Sequence, residues 1–178
     1  MTPARPRYAR IEQLADGLLR EAGVSEAPVP IEEIVRGQGI VIRPMDLKEI
    51  SGLVVRDGVR TVIGVNRDHA PTRRRFTIAH ELAHALLHEG QEVRYDKDFR
   101  VDFRSGASSL GTDVVEMEAN FFAASILMPW RFLEADPLVA GLDFEDAEAA
   151  IKRLASRYKV SPHAMSIRLG NLSARNAR

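Results

Sequence analysis

Apolar positions in the first fifty residues recur at helical spacing and then change period. Ile11, Leu14, Ala15, Leu18 and Leu19 predict a helix from about Tyr8 to Glu21 that stops at Gly23. After the Pro28–Pro30 break, Ile31, Ile34 and Val35 predict a short helix ended by Gly37 or Gly39, with a strand from Ile40 to Arg43. The pattern then turns to β-branched runs, Ser51 to Arg56 and Val59 to Val65, around Asp57-Gly58. That pair supplies the positive φ angles of a tight primed turn, so the segment reads as a hairpin. Should its second strand lie at a sheet edge, its free backbone groups could pair with an extended peptide.

A mostly apolar helix is expected to begin soon after Pro71-Thr72. From Glu89 to Thr112 periodicity fails, and the stretch Ser105–Gly111 reads as a mobile lid or substrate-binding loop. Thr112 or Asp113 should cap a helix carrying Val115, Ala119, Phe122, Ala123 and Ile126 on one face, stopped at Met128-Pro129. Further helices are expected from Asp143 to Tyr158 and from Pro162 to Leu172. Together these elements predict an α+β fold in a single domain. Residues 1–50 form its N-terminal helical and strand part, 51–130 its core with a small twisted sheet, and 131–178 its C-terminal helices.

Composition changes this picture by exclusion. The chain has 178 residues, enough to bury a core within one domain. Its 25 basic and 25 acidic residues balance, so no overall charge draws it to nucleic acid or to a membrane surface. Cysteine is absent, which leaves metal ligation to His, Asp and Glu. The positively charged N-terminus is not followed by an apolar core of signal-peptide type, and no apolar run approaches a membrane span. A cytoplasmic location is expected.

The chemistry is concentrated in RFTIAHELAHALLH, Arg75 to His88, which contains H-E-x-x-H. On a helix His80 and His84 sit one turn apart, about 6 Å along the axis, so their imidazoles can converge on one metal ion. Glu81 is rotated round the helix from that pair, where a general base would stand. Zinc suits such a set, since a catalytic site takes three N or O ligands and keeps one position open. Downstream, EMEANFFAASILMP, Glu116 to Pro129, offers the third ligand. Helical geometry alone does not choose between Glu116 and Glu118. Asn120, one turn beyond Glu116 on the same side, favours Glu116, because it could hydrogen-bond a ligand imidazole. His88 lies about 12 Å along the axis from His80, too far to share the metal comfortably, and is assigned a supporting role. Tyr95 is the candidate oxyanion donor, with Tyr8, Tyr158, His69 and His163 behind it.

Taken together, the two motifs resemble the ImmA/IrrE family of zinc metallo-endopeptidases, over roughly Gly52 to the C-terminal helices. The resemblance implies a thermolysin-like (gluzincin-type) core: an HExxH helix under the sheet and a glutamate helix crossing it. It implies one Zn2+ held by His80, His84 and Glu116, with Glu81 as base; Mn2+ is a second candidate metal. It also implies a protein substrate, a helix-turn-helix repressor whose cleavage switches on mobile-element or stress-response genes. The C-terminal segment supports a different reading. From Ile151 to Arg178 there is no acidic residue, and a turn at Val160-Ser161 joins two basic helices with a helix-turn-helix cadence. The alternative is therefore a non-catalytic, metal-containing regulator that binds a repressor or DNA through these helices.

Overall fold

A computed structural model describes residues 5–88, 93–97, 110–140 and 147–176, with backbone alone for 93–97, 110–113 and 173–176. Helix α1 (Tyr8–Glu21) buries Ile11, Ala15, Leu18 and Leu19, the stripe its spacing required. Gly23, at φ 66°, ends it in the left-handed conformation that a side chain resists. Helix α2 (Ile31–Gly37) leads into strand β1 (Val41–Met45). Strands β2 (Ile50–Arg56) and β3 (Thr61–Asn66) form the hairpin.

Two details of the hairpin differ from expectation. Its loop is Asp57 to Arg60, and Val59, expected in a strand, is 88% exposed there. Asp57 Oδ1 accepts hydrogen bonds from the backbone N–H groups of Val59 and Arg60, at 3.0 and 2.8 Å, which fixes a wider turn than two residues allow. The strand order is β1-β3-β2-β4, so β3 is interior, parallel to β1 and antiparallel to β2. An edge role for β3 is thereby excluded. The strand beside β2 is β4 (Val93–Lys97), which lies within the stretch expected to be loop. The expected lid, Ser105–Gly111, falls on residues 105–109, outside the described ones, and on the first turn of the next helix.

Helix α3 (Pro71–Leu87) starts at Pro71, whose fixed φ and missing N–H suit a first helical position. It packs against β2, β3 and helix α4 (Leu110–Leu127). Thr112 and Asp113 lie inside α4 rather than at its cap; cap preferences are worth only about 1 kcal/mol and yield to packing of the helix as a whole. The predicted inner face holds, with Val115, Ala119, Phe122, Ala123 and Ile126 all buried. Two short helices, α5 (Trp130–Glu134) and α6 (Pro137–Ala140), precede α7 (Ala147–Tyr158) and α8 (Pro162–Asn176). One hydrophobic cluster runs through all of this, from Ile11 on α1 through Ile63 and Leu82 to Leu172 on α8.

Candidate metal centre

Helix α3 lies between the sheet and α4, and its middle is sealed: His80, Glu81 and His84 are at most 1% exposed. One helical turn brings His80 Nε2 within 2.9 Å of His84 Nε2. The crossing helix α4 adds Glu116, whose Oε2 lies 3.2 Å from His80 Nε2 and 3.6 Å from His84 Nε2. Burial pushes the Glu116 carboxyl up, but hydrogen bonds and charge from His80 and His84 outweigh it and hold it well below the usual carboxylate range. Glu116 remains 29% exposed, so the cluster opens to solvent on that side.

The spacing of these atoms can be tested against a metal. Tetrahedral ligands at ~2.0–2.1 Å from one ion stand about 3.3 Å apart. The three separations of 2.9, 3.2 and 3.6 Å bracket that value. His80 also has the right proton: its Nδ1 is 3.0 Å from Asn120 Oδ1, an acceptor, so Nδ1 carries the hydrogen and Nε2 presents its lone pair to the cluster. His80, His84 and Glu116 together could hold a metal ion, all their donor atoms lying within 4.8 Å of one another.

Glu81 stands outside this trio. Its side chain lies against β2 at Gly52, where a Cβ would come 2.6 Å from Glu81 Oε1 and 3.0 Å from its Cγ, and closer still to Thr77. Only a glycine lets the helix approach the strand so nearly at this point. Sequence reading passed over Gly52, although a glycine inside a β-branched run was the available signal. Arg56 was also missed: its guanidinium donates to the carbonyls of His84, Ala85 and His88 at 2.7, 3.1 and 3.3 Å, satisfying the C-terminal end of α3.

The other glutamate of the pair takes a different place. Glu118 is fully buried and faces His88 and Arg7 instead of the trio. His88 in turn contacts His84 Nδ1 through its own Nδ1 at 3.0 Å. Tyr95 lies on β4 opposite Leu53, a strand position in place of the loop expected for it; its side chain is outside the described residues.

Residues 35–170 match peptidase family M78, the IrrE N-terminal-like domain. The chain belongs to this family. The match to M78 spans both motif helices and the first turns of α8. A solved Mycobacterium tuberculosis transcriptional regulator has a similar fold at TM-score 0.60 and 19% identity, over 88% of this chain and 45% of that one. This chain thus spans about half the length of that regulator. No curated protein matches. No helix among the described residues is long and apolar enough to cross a membrane.

In this M78 chain the C-terminal helices complete the core. Ser161 caps α8, accepting from the Ala164 N–H at 3.1 Å. Arg168, one of the basic residues between Ile151 and Arg178, is 2% exposed. Its guanidinium lies 3.4 Å over the Trp130 ring, and its Nε donates to the Met128 carbonyl at 3.0 Å. Arg157 is paired with Asp136 at 2.7 Å. Arg157 and Arg168, two of the basic residues of these helices, are thus engaged within the fold.

Proposed function

We propose that this chain is a zinc-dependent endopeptidase of thermolysin-like design that acts in the cytoplasm on a helix-turn-helix transcriptional repressor. The observation that carries the reading is the convergence of two imidazoles and one carboxylate from crossing helices, with a second carboxylate, Glu81, on the same helix but outside the trio. His80, His84 and Glu116 form an N₂O donor set without thiolate, which suits zinc, with Mn2+ as the alternative. Zinc held there supplies Lewis acidity to the scissile carbonyl and to the attacking water. Glu81 takes the water proton on its carboxylate and returns it to the leaving amine nitrogen. Asn120 keeps His80 in the tautomer that leaves Nε2 free to ligate. Tyr95 is the proposed oxyanion donor. β4, the last strand of the sheet order, is the proposed pairing edge for an extended peptide.

The repressor as substrate rests on the family resemblance, and derepression of mobile-element or stress-response genes follows from it. The non-catalytic alternative, a regulator acting through its C-terminal basic helices, would be favoured by a closed four-ligand site, for example one recruiting His88. Both ring nitrogens of His88 are instead engaged elsewhere, Nδ1 by His84 and Nε2 by Glu118. The decisive test is cleavage of the repressor encoded beside this gene by wild type and by Glu81→Gln, with zinc content measured in both. The variant is expected to keep its zinc and lose roughly 10²–10⁴-fold in rate. Equal cleavage removes Glu81 as the base. Parallel digestion of unfolded casein separates repressor specificity from general scavenging.

A further inference from the structure

The two ligand histidines are oriented by different devices. His80 meets an amide oxygen directly. His84 meets another histidine, and the chain continues: His84 Nδ1 to His88 Nδ1 at 3.0 Å, then His88 Nε2 to Glu118 Oε2 at 3.0 Å. Arg7 closes the far end. Its backbone N–H and its Nε donate to Glu118 Oε1 at 2.8 and 2.9 Å, and its Nη2 donates to Oε2 at 2.7 Å.

We infer that Arg7, Glu118 and His88 are positioning residues of the metal centre, so that the segment ahead of α1 helps to set metal affinity. The inference rests on the metal-centre reading above. A carboxylate only accepts hydrogen bonds, so His88 Nε2 must carry a hydrogen. In a neutral imidazole the other nitrogen is then an acceptor, so His84 Nδ1 must donate to it. That leaves the lone pair of His84 on Nε2, facing Glu116 and His80. One buried anion thereby fixes two tautomers in series, and Arg7 holds that anion in one orientation from a point 111 residues away in sequence. Glu118 is fully buried and His88 only 8% exposed, so water competes little along the path.

A purely structural ion pair would hold α1 to α4 without touching the metal, and the two cases differ measurably. Zn2+ affinity of the full chain is measured by competition with a chromophoric chelator, and the His84 tautomer by long-range ¹⁵N–¹H correlation. His88→Leu and Glu118→Gln are expected to weaken Zn2+ binding by roughly 10–100-fold. His88→Gln offers one acceptor to His84 and one donor to Glu118, and is expected to recover most of that loss. Arg7→Ala should weaken binding severalfold; its side chain is 30% exposed, so it supplies the test should a buried variant misfold. Arg157→Ala breaks an ion pair of similar length elsewhere and should lower the melting temperature while leaving Zn2+ affinity unchanged. Wild type that takes up no Zn2+ overturns the metal-centre reading and this inference with it. Wild type that binds, with His88→Leu, Glu118→Gln and Arg7→Ala all within twofold of it, overturns this inference alone.

Discussion

Replacing Gly52 by alanine adds one methyl where α3 packs tightly on β2. The three atoms nearest that methyl belong to Thr77 and Glu81 and to none of the three candidate ligand residues. Both neighbours are fully buried, one helical turn apart, so neither can swing into solvent. The methyl would lie 2.4 Å from Thr77 Cγ2 and 2.6 Å from Glu81 Oε1, well inside ordinary contact with both, so both side chains must shift or the helix must lift from the strand. Overpacking of this kind costs about 1–3 kcal/mol. For a domain of this size each kcal/mol lowers Tm by about 2–4 °C, giving an expected drop of roughly 2–12 °C. Displacing the proposed general base, Glu81, by about 1 Å should cost on the order of 10² in rate. The assay pairs thermal melts with Zn2+ titration and repressor cleavage. Gly52→Ala should melt lower and cleave about a hundredfold more slowly while binding Zn2+ within a few-fold of wild type. Gly17→Ala, where a Cβ meets nothing within 4 Å on α1, is the control and should stabilise by about 0.5–1 kcal/mol. A Gly52→Ala protein with wild-type melting and wild-type cleavage would refute the proposed packing of Glu81 on β2.

Three further outcomes follow from the same structure. Zn2+ at a hundred times its Kd should raise stability by about 2.7 kcal/mol, and chelation should remove that gain; melts that ignore both would argue against a native-state site. Burial raises the Glu118 carboxyl, but hydrogen bonds from Arg7 and His88 prevail and bring it from 4.5 to about 2. A depressed carboxyl stabilises the fold fully above its unfolded value and loses that contribution as pH falls from about 4.5 to about 2. The full shift corresponds to at most about 3 kcal/mol; with Arg7 30% exposed, solvent screening reduces the expected loss to about 1–2 kcal/mol. Denaturant melts of wild type and Glu118→Gln across this window should converge as pH falls, and parallel curves would contradict the assignment. Arg168→Ala removes the contact over Trp130 and the bond to the Met128 carbonyl, which should cost about 3–5 kcal/mol by chemical denaturation. A loss below about 1 kcal/mol would place Arg168 back among ordinary surface cations.

Part of this fold was legible in the sequence. The stripe on α1, the two runs of the hairpin and the His80–Glu81–His84 spacing depend on neighbours within one or two turns, and local geometry is what a sequence encodes most directly. The roles of Glu116 and Glu118 were not of that kind. Two residues apart on a helix, their side chains point about 200° apart, so the rotation of α4 decides which one meets His80 and His84. Packing of Phe122, Ala123 and Ile126 sets that rotation, and Asn120 only hinted at it. β4 escaped notice because it is a short, polar strand, VRYDK, that acquires its structure by pairing with β2. Arg7, Gly52 and Arg56 act on the centre from outside its two helices, across distances in sequence that no periodicity spans. The sequence alone determined which side chains could bind a metal and on which helix the first two would stand. Tertiary packing decided which carboxylate completes the set and which one is turned away to hold a histidine, because those choices depend on how separate elements are rotated against one another.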